Sequence, residues 1–153
     1  HAAHNCEVGD RVIMANGVLL GGYVAVGERA FIGGGTGVHQ FCHIGRLAMV
    51  AAGCFISKDL PPFCSTASSQ NSRLAGLNAV GLRRAGLDAA QRAQIKQAFG
   101  ILYRSGLNLT QAKERLRTET GNPFAAEYAE FLDHAKRGIC RPSRDAAAES
   151  ADA

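Results

Sequence analysis

The sequence predicts an all-β left-handed parallel β-helix built from hexapeptide repeats, followed by a C-terminal α-helical domain. Three observations carry that prediction. Aliphatic residues recur every six positions through the first part of the chain. Compact residues follow them at nearly every step. Beyond residue 62 the apolar period changes to that of a helix, with caps and glycine stops at the expected places.

The repeat is read by stepping six residues at a time from Val8: Val8, Met14, Leu20, Val26, Ile32, Val38, Ile44, Val50 and Ile56. The positions that follow are Gly9, Ala15, Gly21, Gly27, Gly33, His39, Gly45, Ala51 and Ser57, small at all but one. Two places before each next repeat stands another compact residue, as at Val12, Val18, Val24, Ala30, Thr36, Cys42, Ala48 and Cys54. Neither a helix of period 3.6 nor a two-sided strand of period 2 produces this pattern. A triangular solenoid does. Its aliphatics point inward, and the small residues are expected to permit the corner dihedrals. Cys6, Cys42 and Cys54 fit as compact interior fillers.

The solenoid is assigned to residues 1–62, ending where Pro61 and Pro62 remove backbone donors. With no initiator Met and no earlier coils, the chain reads as the C-terminal portion of a longer one. Residues 63–77 form a polar connector, residues 78–141 a helical domain, and residues 142–153 a disordered tail without aliphatics or aromatics. In the helical domain Asp88 is the expected N-cap of a helix that stops at Gly106. Its apolar stripe is Ile95, Ala98, Phe99, Leu102 and Tyr103. Thr110 is the expected cap of the next helix, with Gly121 as its stop. Pro123 opens the last helix, whose inward residues are Phe124, Tyr128, Phe131 and Leu132. His134 falls at the surface of that helix.

Composition narrows the function classes. Five cysteines form no CxxC pair, which fits reduced thiols in the cytoplasm rather than a disulfide framework. No apolar run is long enough to cross a membrane, and no basic stripe with interleaved aromatics points to nucleic acid. Up to Asp59 four basic residues balance four acidic ones, so the net charge of +4 lies in the second part. A modest basic surface there suits an acidic partner as well as it suits an ordinary solvated helix face.

Three hexads make one coil, so residues 18 apart stack. His4, Gly22 and Gln40 then share a column, flanked by Asn5, Tyr23 and Phe41 on one side and by Ala3, Gly21 and His39 on the other. An imidazole can take a hydroxyl proton. A glycine N–H can hold an oxyanion, and a carboxamide can fix an amide-bearing substrate. A ladder of polar residues on an outer face would give the same column without chemistry.

The motifs "HAAHNCEVGDRVIMAN", "IGGGTGVHQFCHIG", "KDLPPF", "LNAVGLRRAGL" and "ILYRSG" occur in family order. On them the chain, from His1 to about Arg141, resembles the UDP-N-acetylglucosamine O-acyltransferases that begin lipid A biosynthesis. The resemblance implies a homotrimer with active sites in clefts between solenoids. It implies transfer of a 3-hydroxyacyl group from acyl carrier protein to the 3-hydroxyl of UDP-N-acetylglucosamine. No cofactor and no metal is implied for the enzyme itself, since the donor carries its phosphopantetheine on the carrier.

By the same resemblance His4 is the catalytic base and Gly22 offers its N–H to the thioester carbonyl oxygen. His39 and Gln40 contact the sugar, with Gln40 near the acetamido group, and His1 is a second cleft histidine. Asn78 and Arg84, with Arg83 beside them, meet the acyl donor. Two residues depart from the family pattern: Asn5 stands where Asp is frequent, and Tyr23, at a substrate-binding position, where His is common. Met49 and Ala52 are expected at the floor of an acyl-chain groove, where one mismatched methylene costs about 1–3 kcal/mol.

Other readings start from the same residues. A trimer resembling the γ-type carbonic anhydrases would bind metal through His39 and His43 or through His1 and His4. A non-catalytic paralogue would bind acyl carrier protein without turnover. A related amino-sugar N-acyltransferase would need an amine acceptor.

Overall fold

A computed structural model of the chain describes residues 1–67 and 72–143. They fall into two compact units. One comprises His1–Asn78 with the described residues from Ala135 onward, and the other Ala79–His134.

The first unit is a parallel β-solenoid. Its nine short strands are β1 (Glu7–Val8), β2 (Ile13–Met14), β3 (Leu19–Leu20), β4 (Ala25–Val26), β5 (Phe31–Ile32), β6 (Gly37–Val38), β7 (His43–Ile44), β8 (Met49–Val50) and β9 (Phe55–Ile56). They form three faces, β1-β4-β7, β2-β5-β8 and β3-β6-β9, each parallel. The register pairs Glu7 with Ala25 and Ala25 with His43, so one coil takes 18 residues. The second residue of each strand points inward: Ile32, Ile44 and Ile56 are fully buried. Burying each such side chain contributes about 1.5–3 kcal/mol. Val8 and Met14 hold the same inward positions but are exposed, because no described coil stacks on the outer side of theirs.

The corners differ from the expectation. Left-handed conformations fall on Asn5, Tyr23 and Phe41 at one corner, on Arg11, Arg29 and Leu47 at the second, and on Gly17, Gly35 and Gly53 at the third. The small residues after the inward aliphatics serve another purpose, which is close stacking of coils. A β-carbon at Gly27 would lie 2.5 Å from the backbone nitrogen of Arg46, and one at Gly21 would lie 2.6 Å from that of Gln40.

Past Pro62 the structure corrects two boundaries. The segment read as a connector contains β10 (Cys64–Thr66) and β11 (Arg73–Leu77), paired antiparallel, and β10 adds parallel to β8. Cys64, Thr66 and Leu74 turn inward while Ser65 and Arg73 do not. The period-two alternation was hidden by the polarity of the stretch. The first residue of the supposed tail, Pro142, belongs to a strand: β12 (Arg141–Pro142) lies parallel to β11, and Ser143 N donates to Leu74 O at 2.9 Å. Residues 68–71 and 144–153, including the rest of the expected tail, lie outside the described residues.

Residues 135–141 likewise belong with the solenoid rather than with the helices. Asp59 N donates to Gly138 O, and Cys140 N donates to Asp59 O at 2.8 Å.

The second unit holds α1 (Ala79–Arg84), α2 (Ala89–Tyr103), α3 (Leu109–Thr118) and α4 (Pro123–His134). Asp88 and Gln91 form a capping box on α2. The cap of α3 is Asn108, paired with Gln111, and not Thr110, which lies inside the first turn. Asn122 caps α4 by accepting from Phe124 N and Ala125 N. The core gathers Ile95, Phe99 and Leu102 of α2, Leu116 of α3, and Phe124, Tyr128, Phe131 and Leu132 of α4. Tyr103 is only half-buried.

Candidate functional site

One corner of the solenoid brings the chemistry together. His4-Asn5, Gly22-Tyr23 and Gln40-Phe41 are the equivalent turn pairs of successive coils. Each turn hangs from the one before it: Tyr23 N donates to His4 O at 3.1 Å, and Phe41 N to Gly22 O at 3.0 Å. The column inferred from the 18-residue stacking is therefore fixed by backbone hydrogen bonds.

The His4 ring is exposed but held on several sides. Its Nδ1 lies 3.2 Å from Asn5 Oδ1. An amide oxygen only accepts, so this bond requires a proton on Nδ1 and leaves the Nε2 lone pair open. A β-carbon built at Gly22 would sit 2.9 Å from His4 Cε1 and 3.0 Å from Nε2. Gly22 is thus the floor under the imidazole. Its own N–H takes no part in the coil-to-coil ladder and has no acceptor among the described residues. Tyr23 meets His4 edge to face, ring centroids 5.2 Å apart at 87°, and stacks on Phe41 at 5.2 Å and 15°.

Gln40 is exposed in the same column. Beside it His39 donates from Nδ1 to Gln40 O at 3.0 Å and meets Phe55 edge-on. A carbonyl only accepts, so His39 also keeps Nε2 as an acceptor. His1 is tied by backbone alone, its nitrogen donating to Val18 O and its carbonyl accepting from Leu20 N.

Other expected residues lie at other positions of the solenoid or belong to the second unit. Met49 projects from β8 in register with Phe31, which pairs with Ile13. All three are exposed, so an apolar column runs along one outer face. Ala52 is exposed at the turn that follows β8. Asn78 Nδ2 donates to Leu47 O at 3.0 Å, which anchors the end of β11 to a coil. Arg83 and Arg84 are exposed in the last turn of α1, in the second unit.

Among the described residues no group of three or more His, Cys, Asp or Glu is arranged to hold a metal. His43 pairs with Ala25 on the β1-β4-β7 face, whereas His39 follows β6 on a different face. No helix among the described residues is long and apolar enough to cross a membrane.

Sequence reasoning missed Asp59. Fully buried, it accepts from His43 N at 2.7 Å through Oδ1, and Oδ2 has no hydrogen-bond partner among the described residues. Burial raises its pKa above the usual carboxylate range, opposed by the His43 N–H. The same surroundings push the Cys42 thiol up to about 11 and that of Cys140 up to about 12, burial being the main cause for both. A lone acid before "LPP" was the available signal, though it reads equally as a turn residue.

Residues 59–140 match the family model described as UDP-N-acetylglucosamine O-acyltransferase, domain 2. A curated relative from Gloeothece citriformis, an acyl-[acyl-carrier-protein]–UDP-N-acetylglucosamine O-acyltransferase, is 46% identical over 86% of this chain and 48% of its own length. A relative of the same name from Anaeromyxobacter is 41% identical over 92% of this chain and 55% of its own. Among solved structures, the Francisella novicida UDP-N-acetylglucosamine acyltransferase superposes with a TM-score of 0.86 at 31% identity, covering 95% of this chain and 53% of that one. The Arabidopsis enzyme gives 0.82 at 31% identity over 91% and 52%. The chain spans about half the length of the curated relatives it matches.

Proposed function

Given that this chain belongs to the UDP-N-acetylglucosamine O-acyltransferase family, we propose that it carries the catalytic corner of such an enzyme. The reaction transfers a 3-hydroxyacyl group from acyl carrier protein to the glucosamine 3-hydroxyl of UDP-N-acetylglucosamine, at the start of lipid A biosynthesis. The observation that carries this reading is the His4 imidazole, hydrogen-bonded at Nδ1 and with Nε2 over Gly22.

In this mechanism His4 Nε2 takes the proton of the sugar hydroxyl as its oxygen attacks the thioester carbonyl. The Gly22 N–H receives the oxyanion of the tetrahedral intermediate. Collapse of that intermediate forms the ester and breaks the carbon–sulfur bond, and the imidazolium returns its proton to the phosphopantetheine sulfur. Asn5 orients the ring through Nδ1 and stabilises the imidazolium less than a carboxylate would.

Gln40 and His39 bind the amino sugar, with Gln40 at the acetamido group. His1 and the ring of Tyr23 complete the substrate side, while Asn78, Arg83 and Arg84 meet the acyl donor. The acyl chain runs along the exposed apolar column of Ile13, Phe31 and Met49, with Ala52 setting its end. Left-handed coiling, a cytoplasmic homotrimer with clefts between neighbouring solenoids, and the absence of a resident cofactor or metal belong to the same proposal.

The experiment is a turnover assay on the full-length protein with a panel of 3-hydroxyacyl carrier proteins and UDP-N-acetylglucosamine, read by mass spectrometry. O-acylated nucleotide sugar is the expected product. Carrier binding without product would point instead to a non-catalytic paralogue.

A further inference from the structure

We propose that Tyr23 is a positioning residue for His4: its ring, backed by Phe41, holds the imidazole in the rotamer that keeps Nε2 over Gly22. The inference rests on the proposed role of His4 as the base.

The imidazole is exposed, and an exposed histidine ordinarily samples several rotamers. Its one hydrogen bond, 3.2 Å to a neighbouring exposed amide, competes with water. Gly22 lies under the ring, and the remaining side-chain contact is aromatic. Tyr23 stands in the left-handed conformation at φ 60°, as Asn5 does one coil earlier at φ 59°. Its backbone N–H is bonded to His4 O, the carbonyl of the residue whose ring it touches. Phe41 repeats the geometry one coil further, at φ 66°, and stacks nearly parallel on Tyr23.

Backbone hydrogen bonds thus set the spacing of the Tyr23–Phe41 platform, and His4 meets it edge to face, a favoured aromatic geometry. The Tyr23 hydroxyl has no partner among the described residues. The effect on His4 therefore runs through the ring, and phenylalanine should hold the imidazole as tyrosine does. This makes the departure from the family's common histidine a change in how the base is held as well as in what the cleft offers a substrate.

The test compares Tyr23→Ala, Tyr23→Phe and Phe41→Leu in the full-length protein. One readout is the Nδ1–H against Nε2–H tautomer ratio of His4 by ¹⁵N NMR without substrate, its signals assigned by their loss in His4→Ala. The other is kcat and KM for UDP-N-acetylglucosamine. Tyr23→Ala is expected to shift the tautomer ratio away from Nδ1–H and to lower kcat about fivefold with KM within about twofold. Tyr23→Phe is expected to hold the wild-type tautomer ratio and to recover most of the kcat that Tyr23→Ala loses, and Phe41→Leu to fall between. The proposal is overturned if Tyr23→Ala leaves the tautomer ratio unchanged. It is overturned equally if Tyr23→Phe is as impaired as Tyr23→Ala and raises KM, because the hydroxyl would then be a substrate contact. Should the wild type transfer no acyl group while Tyr23→Ala still shifts the ratio, the positioning role stands and the acyltransferase reading falls.

Discussion

The Cε1–Nε2 edge of His4 lies against Gly22, so closely that a β-carbon there would sit 2.9 Å from Cε1 and 3.0 Å from Nε2. Glycine at this place gives the imidazole its seat, and its buried backbone N–H has no acceptor among the described residues. Gly22 and His4 are in this way packed against each other across a single coil.

Gly22→Ala should therefore impair catalysis by displacing the imidazole, with little effect on the fold. A shift of about 1 Å in a catalytic group can cost on the order of 10²-fold in rate. Steady-state kinetics with circular dichroism as a fold control is the check. A variant with wild-type kcat would remove Gly22 from the account.

Asp59 should leave a mark on stability against pH. Its pKa is raised in the folded state, chiefly by burial, so the folded protein holds a proton that the unfolded chain has already released. Its contribution is greatest below the ordinary carboxylate range and is lost as pH rises through the raised value. Denaturant titrations from pH 4 to 7 should show the wild type losing stability relative to Asp59→Asn as pH rises. The difference between the two proteins isolates Asp59 from carboxylates such as Asp133, whose pKa is lowered by Arg117 and Lys113 and whose slope has the opposite sign. A difference that stays flat, or grows in the wild type's favour, contradicts the assignment.

The buried thiols should resist alkylation in the native protein. Cys42, Cys54, Cys64 and Cys140 are buried, and Cys6 is only half-buried. Cys42 and Cys140 are in addition pushed far above the pH at which a thiolate forms. Iodoacetamide at pH 8 followed by peptide mass mapping should label Cys6 first. Rapid labelling of Cys42 or Cys140 would mean that the last coil opens locally.

Much of the solenoid was legible because a period of six has no competitor among regular elements, and stacking 18 residues apart follows from it. That arithmetic alone joined His4, Gly22 and Gln40. The corner conformations were not legible. Tyr23 and Phe41 are bulky residues in left-handed turns, against their own preference by about 1–2 kcal/mol, and hydrogen bonds from the preceding coil hold them there. The glycines that follow the inward aliphatics suggested corners but mark close approach between coils, a tertiary constraint invisible in one repeat. The β10–β11 hairpin was hidden because its outward residues are polar and its inward ones compact. At α3 the cap is Asn108 and not the expected Thr110, because Gln111 completes its box.

The central claim is that His4 does the proton chemistry of acyl transfer. It is tested most directly by comparing kcat of the full-length wild type and His4→Ala, with the 3-hydroxyacyl carrier protein that the wild type uses best and mass-spectrometric detection of O-acylated UDP-N-acetylglucosamine. Loss of a general base typically costs about 10²–10⁴-fold, and the account predicts a fall of that size in a variant that keeps the wild-type fold. A folded His4→Ala enzyme that turns over within a few fold of the wild type would contradict it.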